Sequence, residues 1–300
     1  MKPAAFDYTA PRTVSDALDA LSDTARDVRV LAGGQSLLIE MHLQRIRPDL
    51  VVDINRVAEL GQLSAGDGTV EVGALVRHSR FESPTAVPGP IGRLFSLAAG
   101  NIAHAPIRSR GTMAGSLAWG HPASEWCGVA TALDAGICLQ RPDGARVVAA
   151  SDWFRGPFRT ARRSDELITS IRFPLLGEDT GVGFMEHRRT HFCFAQVAVA
   201  AALTVRDGVV GEARIGLVNC ADRPVRARAA EQALVGAEIG SPGAACQLPG
   251  DHPFVRAGRI AAEQDSAPLA EPYADLEYRR HAIAVLVGRT LRQAAEGVSQ

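Results

Sequence analysis

Two glycine-rich loops contain the residue types in this sequence that are best suited to bind a ligand. The first covers residues 30–38, VLAGGQSLL, and the second covers residues 107–116, IRSRGTMAGS. Each loop begins where an apolar run ends, and each offers small residues together with a hydroxyl group. Backbone amides and one side-chain oxygen can then close around phosphate oxygens. Two loops of this kind predict a binding site for a diphosphate.

The two loops differ in how strongly they indicate a ligand. On its own, the Gly33-Gly34 pair is more typical of a strand-to-helix turn that needs a positive φ. The second loop places Thr112 beside Gly111 and Ser116 just beyond, so amides and hydroxyl groups converge where a simple turn needs neither. The sequence has no G-x-G-x-x-G run, which argues against a Rossmann dinucleotide site.

Composition excludes several classes of protein. A chain of 300 residues with 46% hydrophobic residues can bury a substantial core, and its length predicts two domains. Lys and Arg total 32 against 33 Asp and Glu, so no net field attracts nucleic acid or an acidic membrane surface. The sequence shows neither a signal-peptide pattern nor an apolar stretch of membrane-span length, and we expect a cytoplasmic protein.

Residue patterns of other catalytic chemistries are absent from the sequence. The five cysteines form no C-x-x-C pair, so neither zinc nor an iron–sulfur cluster is indicated, and we expect reduced, mostly buried thiols. No Ser-His-Asp order, metal-ligand cluster or paired-carboxylate signature stands out. We therefore predict no catalytic residue and no metal-binding residue in this chain.

Short alternating elements are predicted in the first half of the chain. Apolar residues at helical spacing, with Thr13 as the N-cap, predict a helix over residues 14–21. The RPDG sequence at residues 141–144 predicts a hairpin between strands 137–140 and 145–148. Further strands are predicted over residues 28–32, 50–54, 69–74 and 167–173, and further helices over residues 91–99 and 122–132.

A turn-rich segment after Pro174 predicts the boundary between two domains. Apolar runs over residues 195–205 and 212–220 predict an antiparallel pair of strands that is covered on one face by helices. Those helices are predicted over residues 224–235 and 273–295, and a surface loop over residues 240–253. The sequence therefore predicts an α+β fold with domains at residues 1–175 and 176–300.

The two loops resemble those of the FAD-binding medium subunits of molybdenum hydroxylases, the family of carbon monoxide dehydrogenase and xanthine dehydrogenase. The usual forms in that family are A-G-G-x-S-L and I-R-N-x-G-T-x-G-G-N/S. The resemblance continues in order along nearly the whole chain. It includes residues 52–55 (VDIN), 72–74 (VGA), 122–125 (PASE), 158–160 (FRT), 165–168 (DELI), 223–227 (RPVRA) and 277–280 (EYRR). So many ordered agreements are much more specific than either loop alone.

The resemblance implies both an architecture and a cofactor. Residues 1–175 are expected to form a two-lobed FAD-binding domain of the PCMH type. Residues 176–300 are expected to form a C-terminal domain like that of carbon monoxide dehydrogenase flavoproteins, with an antiparallel sheet plus helices. The implied FAD-binding residues are Leu31, Ala32, Gly33, Gly34, Gln35, Ser36, Leu37, Gly111, Thr112, Ala114, Gly115, Ser116, His121, Glu125, Glu166, Leu167 and Ile168.

Some positions near the implied flavin allow more than one interpretation. An acid such as Glu125 in a first helical turn is favoured by the helix dipole, whereas the resemblance implies a hydrogen bond to the ribityl chain or the ring edge. His121 stands where the family often has Asp, so it is either a solvated loop residue or a titratable neighbour of the flavin. The family also often has Lys near Met185 and Asp near Cys193, and this chain departs from both.

The resemblance implies an electron-transfer subunit of a molybdopterin-dependent dehydrogenase or hydroxylase. A molybdopterin-binding large subunit would oxidise the substrate, and a small subunit with [2Fe-2S] clusters would relay electrons. This chain would pass them through FAD to NAD, a quinone or oxygen, within a dimer of heterotrimers. Two alternatives stay open: a free-standing FAD-dependent dehydrogenase or oxidase of a small metabolite, and a non-catalytic assembly module that lost FAD. Ala114, where the family has Gly, is a mild indication of the latter.

Overall fold

A small parallel sheet forms the first lobe of the protein. The structure is a computed structural model, and it describes residues 2–190, 192–240 and 248–298. The elements of this lobe are β1 (Asp7–Thr9), α1 (Val14–Leu21), β2 (Val28–Leu31), α2 (Leu37–His42) and β3 (Leu50–Asp53). Strand β3 lies in the middle and pairs in parallel with β1 and with β2. Because β2 ends at Leu31, the first glycine-rich loop lies at the carboxyl edge of this sheet.

The first helix confirms its sequence prediction in detail. The Thr13 hydroxyl oxygen accepts a hydrogen bond from the Asp16 backbone amide at 3.1 Å, as an N-cap residue does. The apolar residues at helical spacing all face the core: Val14, Ala17, Leu18 and Leu21. The cap and the apolar face therefore fix both the start of this helix and its rotation.

An antiparallel sheet with several helices forms the second lobe. Its strands are β4 (Leu63–Gly66), β5 (Thr69–Gly73), β6 (Gly136–Arg141), β7 (Gly144–Ala149), β8 (Phe154–Gly156), β9 (Arg159–Thr160) and β10 (Leu167–Pro174). Its helices are α3 (Pro90–Asn101), α4 (Ala105–Arg108), α5 (Met113–Trp119), α6 (Glu125–Leu133) and α7 (Ala150–Trp153). The main sheet has the order β4-β5-β10-β6-β7. The predicted hairpin is confirmed as β6 and β7.

Helix α6 begins three residues later than the sequence predicts. The segment from His121 to Ser124 forms a turn instead, because the Ser124 amide donates to the His121 carbonyl at 3.0 Å. The His121 ring also accepts a hydrogen bond from the Ala123 amide at 3.0 Å. The Asn219 amide of the C-terminal half donates to the Pro122 carbonyl. Pro122 was therefore a misleading signal for the start of the helix, since its carbonyl is bound by Asn219 and not by the helix.

A four-stranded antiparallel sheet and three α-helices form the described part of the C-terminal half. The strands are β11 (Thr180–His187), β12 (Val197–Arg206), β13 (Val209–Val218) and β14 (Val225–Arg226), in that order across the sheet. The helices are α8 (Arg228–Leu234), α9 (Pro253–Ile260), which continues through a π-helical turn at Ala261–Asp265, and α10 (Leu276–Val298). The two predicted helices are confirmed as α8 and α10, and each begins a few residues later than predicted. Strand β11 and helix α9 were not predicted. Residues 241–247 of the predicted surface loop lie outside the described residues.

The C-terminal sheet is covered on both faces, so the prediction of one covered face is wrong. Alternate residues of β12 belong to two separate cores. Ala198, Ala200 and Ala202 pack with the N-terminal lobes. Val197, Val199, Ala201 and Leu203 pack against the C-terminal helices. A near-continuous apolar run is typical of a strand buried on both faces, and small alanines on one side allow close approach to α6. The domain boundary at residues 175 and 176 stays a prediction.

The cysteine thiols are described at four of the five positions. Cys127, Cys138 and Cys220 are buried, Cys193 is exposed, and all four are free. Burial raises the pKa of Cys127 and of Cys220 to about 12, so both are protonated thiols. Cys246 lies outside the described residues.

Close contact between α6 and β13 makes Gly216 a sensitive position. A Cβ atom at Gly216 would lie 2.9 Å from the Ala132 Cβ and closer still to the Gly128 carbonyl oxygen. We expect Gly216→Ala to lower the free energy of unfolding by about 1–3 kcal/mol, because overpacking forces the backbone apart. The control is Gly61→Ala, where a Cβ meets nothing within 4 Å. Equal urea midpoints for the two variants would contradict this packing.

Candidate functional site

The two glycine-rich loops line a single cleft between the N-terminal lobes. The cleft contains about 1000 Å³ of space, open solvent included. It brings together most of the residues that the resemblance implies: Ala32, Gly33, Gly34, Gln35, Ser36, Leu37, Gly111, Thr112, Ala114, Gly115, Ser116, Glu166, Leu167 and Ile168. Sequence-distant segments therefore meet where a diphosphate site was predicted. Their contact with a cofactor stays a prediction.

The first loop turns sharply from β2 into α2. Gly34 has a φ of +75°, which residues with a Cβ rarely adopt, so this glycine is required by the turn itself. The Gln35 side-chain amide donates to the Gly33 carbonyl at 3.1 Å and braces the turn. Because α2 begins at Leu37, the amide of this residue has no acceptor within the helix and lies beside the cleft, whereas the Leu38 amide donates to the Gly34 carbonyl at 3.3 Å. Such amides are suited to phosphate oxygens.

The second loop leads directly into α5. Thr112 is the N-cap of this helix, and its hydroxyl oxygen accepts from the Gly115 amide at 3.0 Å. One lone pair of that oxygen is therefore used by its own helix, while its O–H group can still donate to a ligand. A Cβ at Gly115 would lie 2.9 Å from the same hydroxyl oxygen. The bare backbone at Gly115 thus protects the cap.

Gly33 lets the two loops pack against each other. A Cβ at Gly33 would lie 2.5 Å from the Arg110 carbonyl oxygen and 2.7 Å from the Gly111 Cα. The sequence suggested that the glycines leave room for phosphate, but at Gly33 the room is filled by the other loop. The shape of the cleft depends on this contact.

A pair of polar side chains that the sequence analysis did not single out holds the loops together. The Asn55 side-chain amide donates to the Ala32 carbonyl of the first loop at 2.8 Å. Arg77 donates to the Asn55 side-chain oxygen at 2.5 Å and also to the Arg110 carbonyl of the second loop. We call Asn55 and Arg77 the loop clamp. The VDIN run of the family resemblance was a signal for Asn55, whereas no pattern marked Arg77.

Asp53 holds the Asn55 member of the loop clamp in place. Its carboxylate accepts from the Asn55 backbone amide at 2.9 Å and from the Tyr8 hydroxyl at 2.7 Å. Burial raises the pKa of Asp53, but these hydrogen bonds outweigh burial and hold that pKa below its ordinary value. A charged Asp53 therefore orients Asn55, and through it the first loop.

Glu166 is a structural anchor at the wall of the cleft. Its carboxylate binds Arg146 through two hydrogen bonds, at 2.6 and 2.9 Å, and accepts from the Arg163 amide at 2.8 Å. Burial alone would raise the pKa of Glu166, yet Arg146 and the Arg163 amide lower it. Arg162 donates to the Glu166 carbonyl at 2.7 Å and also lines the cleft. Its guanidinium adds positive charge that the sequence analysis did not predict.

Three of the implied cofactor residues do not line this cleft. Leu31 ends β2, where its side chain approaches Gly34. The His121 ring stacks on Phe194, with ring centres 4.1 Å apart and planes 8° from parallel. Burial lowers the pKa of His121, so the ring is neutral at neutral pH. Glu125 is buried at the start of α6. The predicted roles of these residues toward the flavin stay predictions.

Glu125 forms a buried acidic pair with Glu186, where β11 meets the N-terminal lobes. The Glu186 side chain is 1% exposed, and neither of its carboxyl oxygens has a hydrogen-bond partner among the described residues. Arg188 lies 3.3 Å from one of these oxygens but donates its hydrogen bonds to Asn101. Burial raises the pKa of both carboxyl groups, and the Glu125 charge raises that of Glu186 further. Together the two groups therefore retain protons that exposed carboxyl groups have lost.

This acidic pair makes stability depend on pH. A carboxyl group with a raised pKa binds more protons folded than unfolded, so stability falls as pH rises above the ordinary carboxyl range. We expect the free energy of unfolding to fall from pH 5 to pH 8, and Glu186→Gln to restore about 1–2 kcal/mol at pH 8. Urea titrations at both values measure this change. The control variant is Glu178→Gln, at an exposed position. If the stability of Glu186→Gln depended on pH as strongly as that of the wild type, the role of the acidic pair would be contradicted.

Among the residues that the structure describes, no group of three or more His, Cys, Asp or Glu side chains is placed to hold a metal ion. Within the same described ranges, every helix is too short or too polar to cross a membrane.

Two family descriptions cover almost the whole chain. Residues 4–176 match the FAD binding domain in molybdopterin dehydrogenase, and residues 183–294 match the CO dehydrogenase flavoprotein C-terminal domain.

Individual proteins agree with these descriptions. The chain is 36% identical to the caffeine dehydrogenase subunit beta of Pseudomonas sp. strain CBB1, covering 99% of this chain and 97% of that one. It is 32% identical to the carbon monoxide dehydrogenase medium chain of Afipia carboxidovorans, covering 98% of each. A solved structure of carbon monoxide dehydrogenase from Hydrogenophaga pseudoflava superposes with a TM-score of 0.90 at 30% identity, over 98% of both chains. The protein therefore belongs to the FAD-binding medium subunits of the molybdenum hydroxylases, and its cofactor is FAD.

Proposed function

We propose that this chain is the electron-transfer subunit of a three-subunit molybdenum hydroxylase. It takes electrons from a small subunit that carries [2Fe-2S] clusters and passes them through FAD to an external acceptor. A molybdopterin-binding large subunit oxidises the substrate, and two such heterotrimers associate. The observation that carries the proposal is the single cleft in which the two glycine-rich loops are clamped together.

The residues of the cleft fit the diphosphate of FAD. Small residues and bare glycine backbone line both loops, and two helices begin at the cleft, where the Leu37, Met113 and Ala114 amides have no acceptor within their own helices. Arg162 supplies a guanidinium at the wall. We assign the cofactor contacts to the fourteen implied residues that line the cleft, and assign Leu31, His121 and Glu125 to its surroundings toward the flavin. When bound, FAD supplies a centre that accepts electrons singly and releases them in pairs.

The side chains of the cleft bind and orient but do not activate a substrate. Glu166 is held by Arg146, so its carboxylate is not free to accept a proton. His78 lines the cleft, but burial lowers its pKa to about 3, far below the range of a base that works near neutral pH. Neither group is therefore available as a base for substrate chemistry. An electron relay needs nothing more from this chain.

The relatives indicate that this chain does not select the substrate. Similar chains are named as parts of a caffeine dehydrogenase, a nicotine 6-hydroxylase and a carbon monoxide dehydrogenase, at 36%, 32% and 32% identity over nearly full length. Carbon monoxide is a diatomic gas, whereas caffeine and nicotine are heterocyclic compounds many times larger. One fold serving all three is expected if the substrate pocket lies on another subunit.

Loop packing predicts a specific loss of FAD. We expect Gly33→Val to reduce bound FAD at least tenfold, because its side chain pushes the second loop away and opens the cleft. Released FAD, measured by fluorescence after acid treatment, gives the occupancy. The control is Gly66→Val, where a Cβ meets nothing within 4 Å. Full occupancy in Gly33→Val, with a normal melting temperature, would contradict the role of the cleft.

The relay role predicts no substrate turnover by the isolated subunit. Mixed anaerobically with candidate organic metabolites, the FAD-loaded chain is expected to keep its oxidised flavin spectrum, since no described group in the cleft is placed to activate a substrate. Addition of dithionite is the control for a reducible flavin. Rapid bleaching by one metabolite, with no partner present, would instead support a free-standing dehydrogenase. A chain that binds no added FAD would support an assembly module.

A further inference from the structure

His78 lies beneath the second glycine-rich loop and lines the cleft. It begins a short 3₁₀ turn, His78–Glu82, and its backbone amide donates to the Gly111 carbonyl at 3.0 Å. The ring edge faces the loop, because a Cβ at Gly111 would lie 2.6 Å from both Cδ2 and Nε2 of His78. The residue is 4% exposed. No sequence pattern marked this histidine.

Trp126 fixes which nitrogen of His78 carries the proton. The Trp126 indole Nε1 donates to Nδ1 of His78 at 2.9 Å. An indole nitrogen only donates, so Nδ1 must be the acceptor and a neutral ring must carry its hydrogen on Nε2. Burial and the charges of Arg108 and Arg77 lower the pKa of His78, which keeps the ring neutral. The tautomer therefore follows from a protein contact.

The indole is itself held rigidly. Trp126 is fully buried, and the edges of its neighbours pack on it, with ring centres at 5.3 Å for Phe81 and 5.6 Å for Phe95. The rigid indole fixes the direction of its N–H group, and so the position of the imidazole ring. The Nε2–H group is thus held in place before any ligand arrives.

Among the described residues, the hydrogen bond from Trp126 to Nδ1 is the one found for the His78 ring, and Nε2 is not among the unpaired side-chain atoms that are sealed from solvent, so this atom opens to the cleft. A side-chain donor that is held in place without a protein acceptor is available to a ligand or to water. This donor belongs to a side chain that is more than nine-tenths buried and that lines the cleft. Both loops beside it were assigned above to a diphosphate. The unpaired donor and the anion site therefore coincide.

We propose that His78 is a positioning residue for the cofactor: its Nε2–H donates a hydrogen bond to a diphosphate oxygen of FAD, and Trp126 holds the ring in the donor tautomer. This inference rests on the proposed cleft for FAD. A neutral donor suits the site because it binds an anion with no change of charge between pH 6 and pH 9. A cationic histidine would lose affinity as the pH rose.

The test is a comparison of FAD affinity among variants at His78. We expect His78→Leu, which removes the donor, to bind FAD and the simpler probe ADP about 10- to 100-fold more weakly. His78→Gln places an amide N–H near the position of Nε2, and we expect its affinity to return to within about threefold of the wild type. These ranges correspond to a hydrogen bond with a charged acceptor.

A matched core variant separates this role from packing. Phe173→Leu alters the aromatic cluster next to Phe95 without touching the cleft, so it is expected to lower apo-protein stability and leave FAD affinity unchanged. If His78→Leu behaves in the same way, with affinity within twofold of the wild type, the inference is wrong. If the wild type binds neither FAD nor ADP, the proposed function fails instead.

A double-mutant cycle tests the contribution of Trp126. Trp126→Phe leaves the ring free to change tautomer, and we expect FAD affinity to fall several-fold while His78 is present. In the His78→Leu background, Trp126→Phe is expected to have no further effect on affinity, because the donor is already gone. Additive losses in the cycle would show that Trp126 acts only through packing and would overturn the tautomer assignment.

Discussion

The contact between the two glycine-rich loops is the constraint on which the rest of the site depends. Gly33, in the loop that follows β2, meets the backbone at Arg110 and Gly111 of the second loop at a distance that excludes any side chain. The loop clamp of Asn55 and Arg77 binds a carbonyl of each loop. Two lobes with separate sheets thus form one cleft, and small changes at this contact act on the whole cleft.

The C-terminal sheet supports the cleft from behind. Its two faces belong to different cores. One face packs on the C-terminal helices and the other on α6, which is part of the second lobe. Trp126, on α6, donates a hydrogen bond to His78, which lines the cleft. The buried Glu125 and Glu186 lie on the same route, at the join of the two halves. Packing far from the cleft therefore determines how precisely its donors are held.

Local signals in the sequence predicted local structure well. Thr13 and the apolar residues that follow were sufficient for α1, and the RPDG turn was sufficient for the hairpin of β6 and β7. The start of α6 was wrong, because Asn219 binds the backbone at Pro122 across the domains. The loop clamp could not be predicted from the sequence either, since its hydrogen bonds join residues 22 to 33 positions apart. Sequence periodicity carries no information on such pairs.

Charge near the flavin distinguishes this chain from the family pattern. If His121 and Glu125 lie at the flavin edge, as the resemblance implies, burial favours the uncharged form of both, because it lowers the pKa of His121 and raises that of Glu125 to about 7. Fixed charges close to a flavin shift its reduction potential, and neutral groups shift it much less. On that placement, His121 and Glu125 would act on the flavin more through hydrogen bonds than through charge.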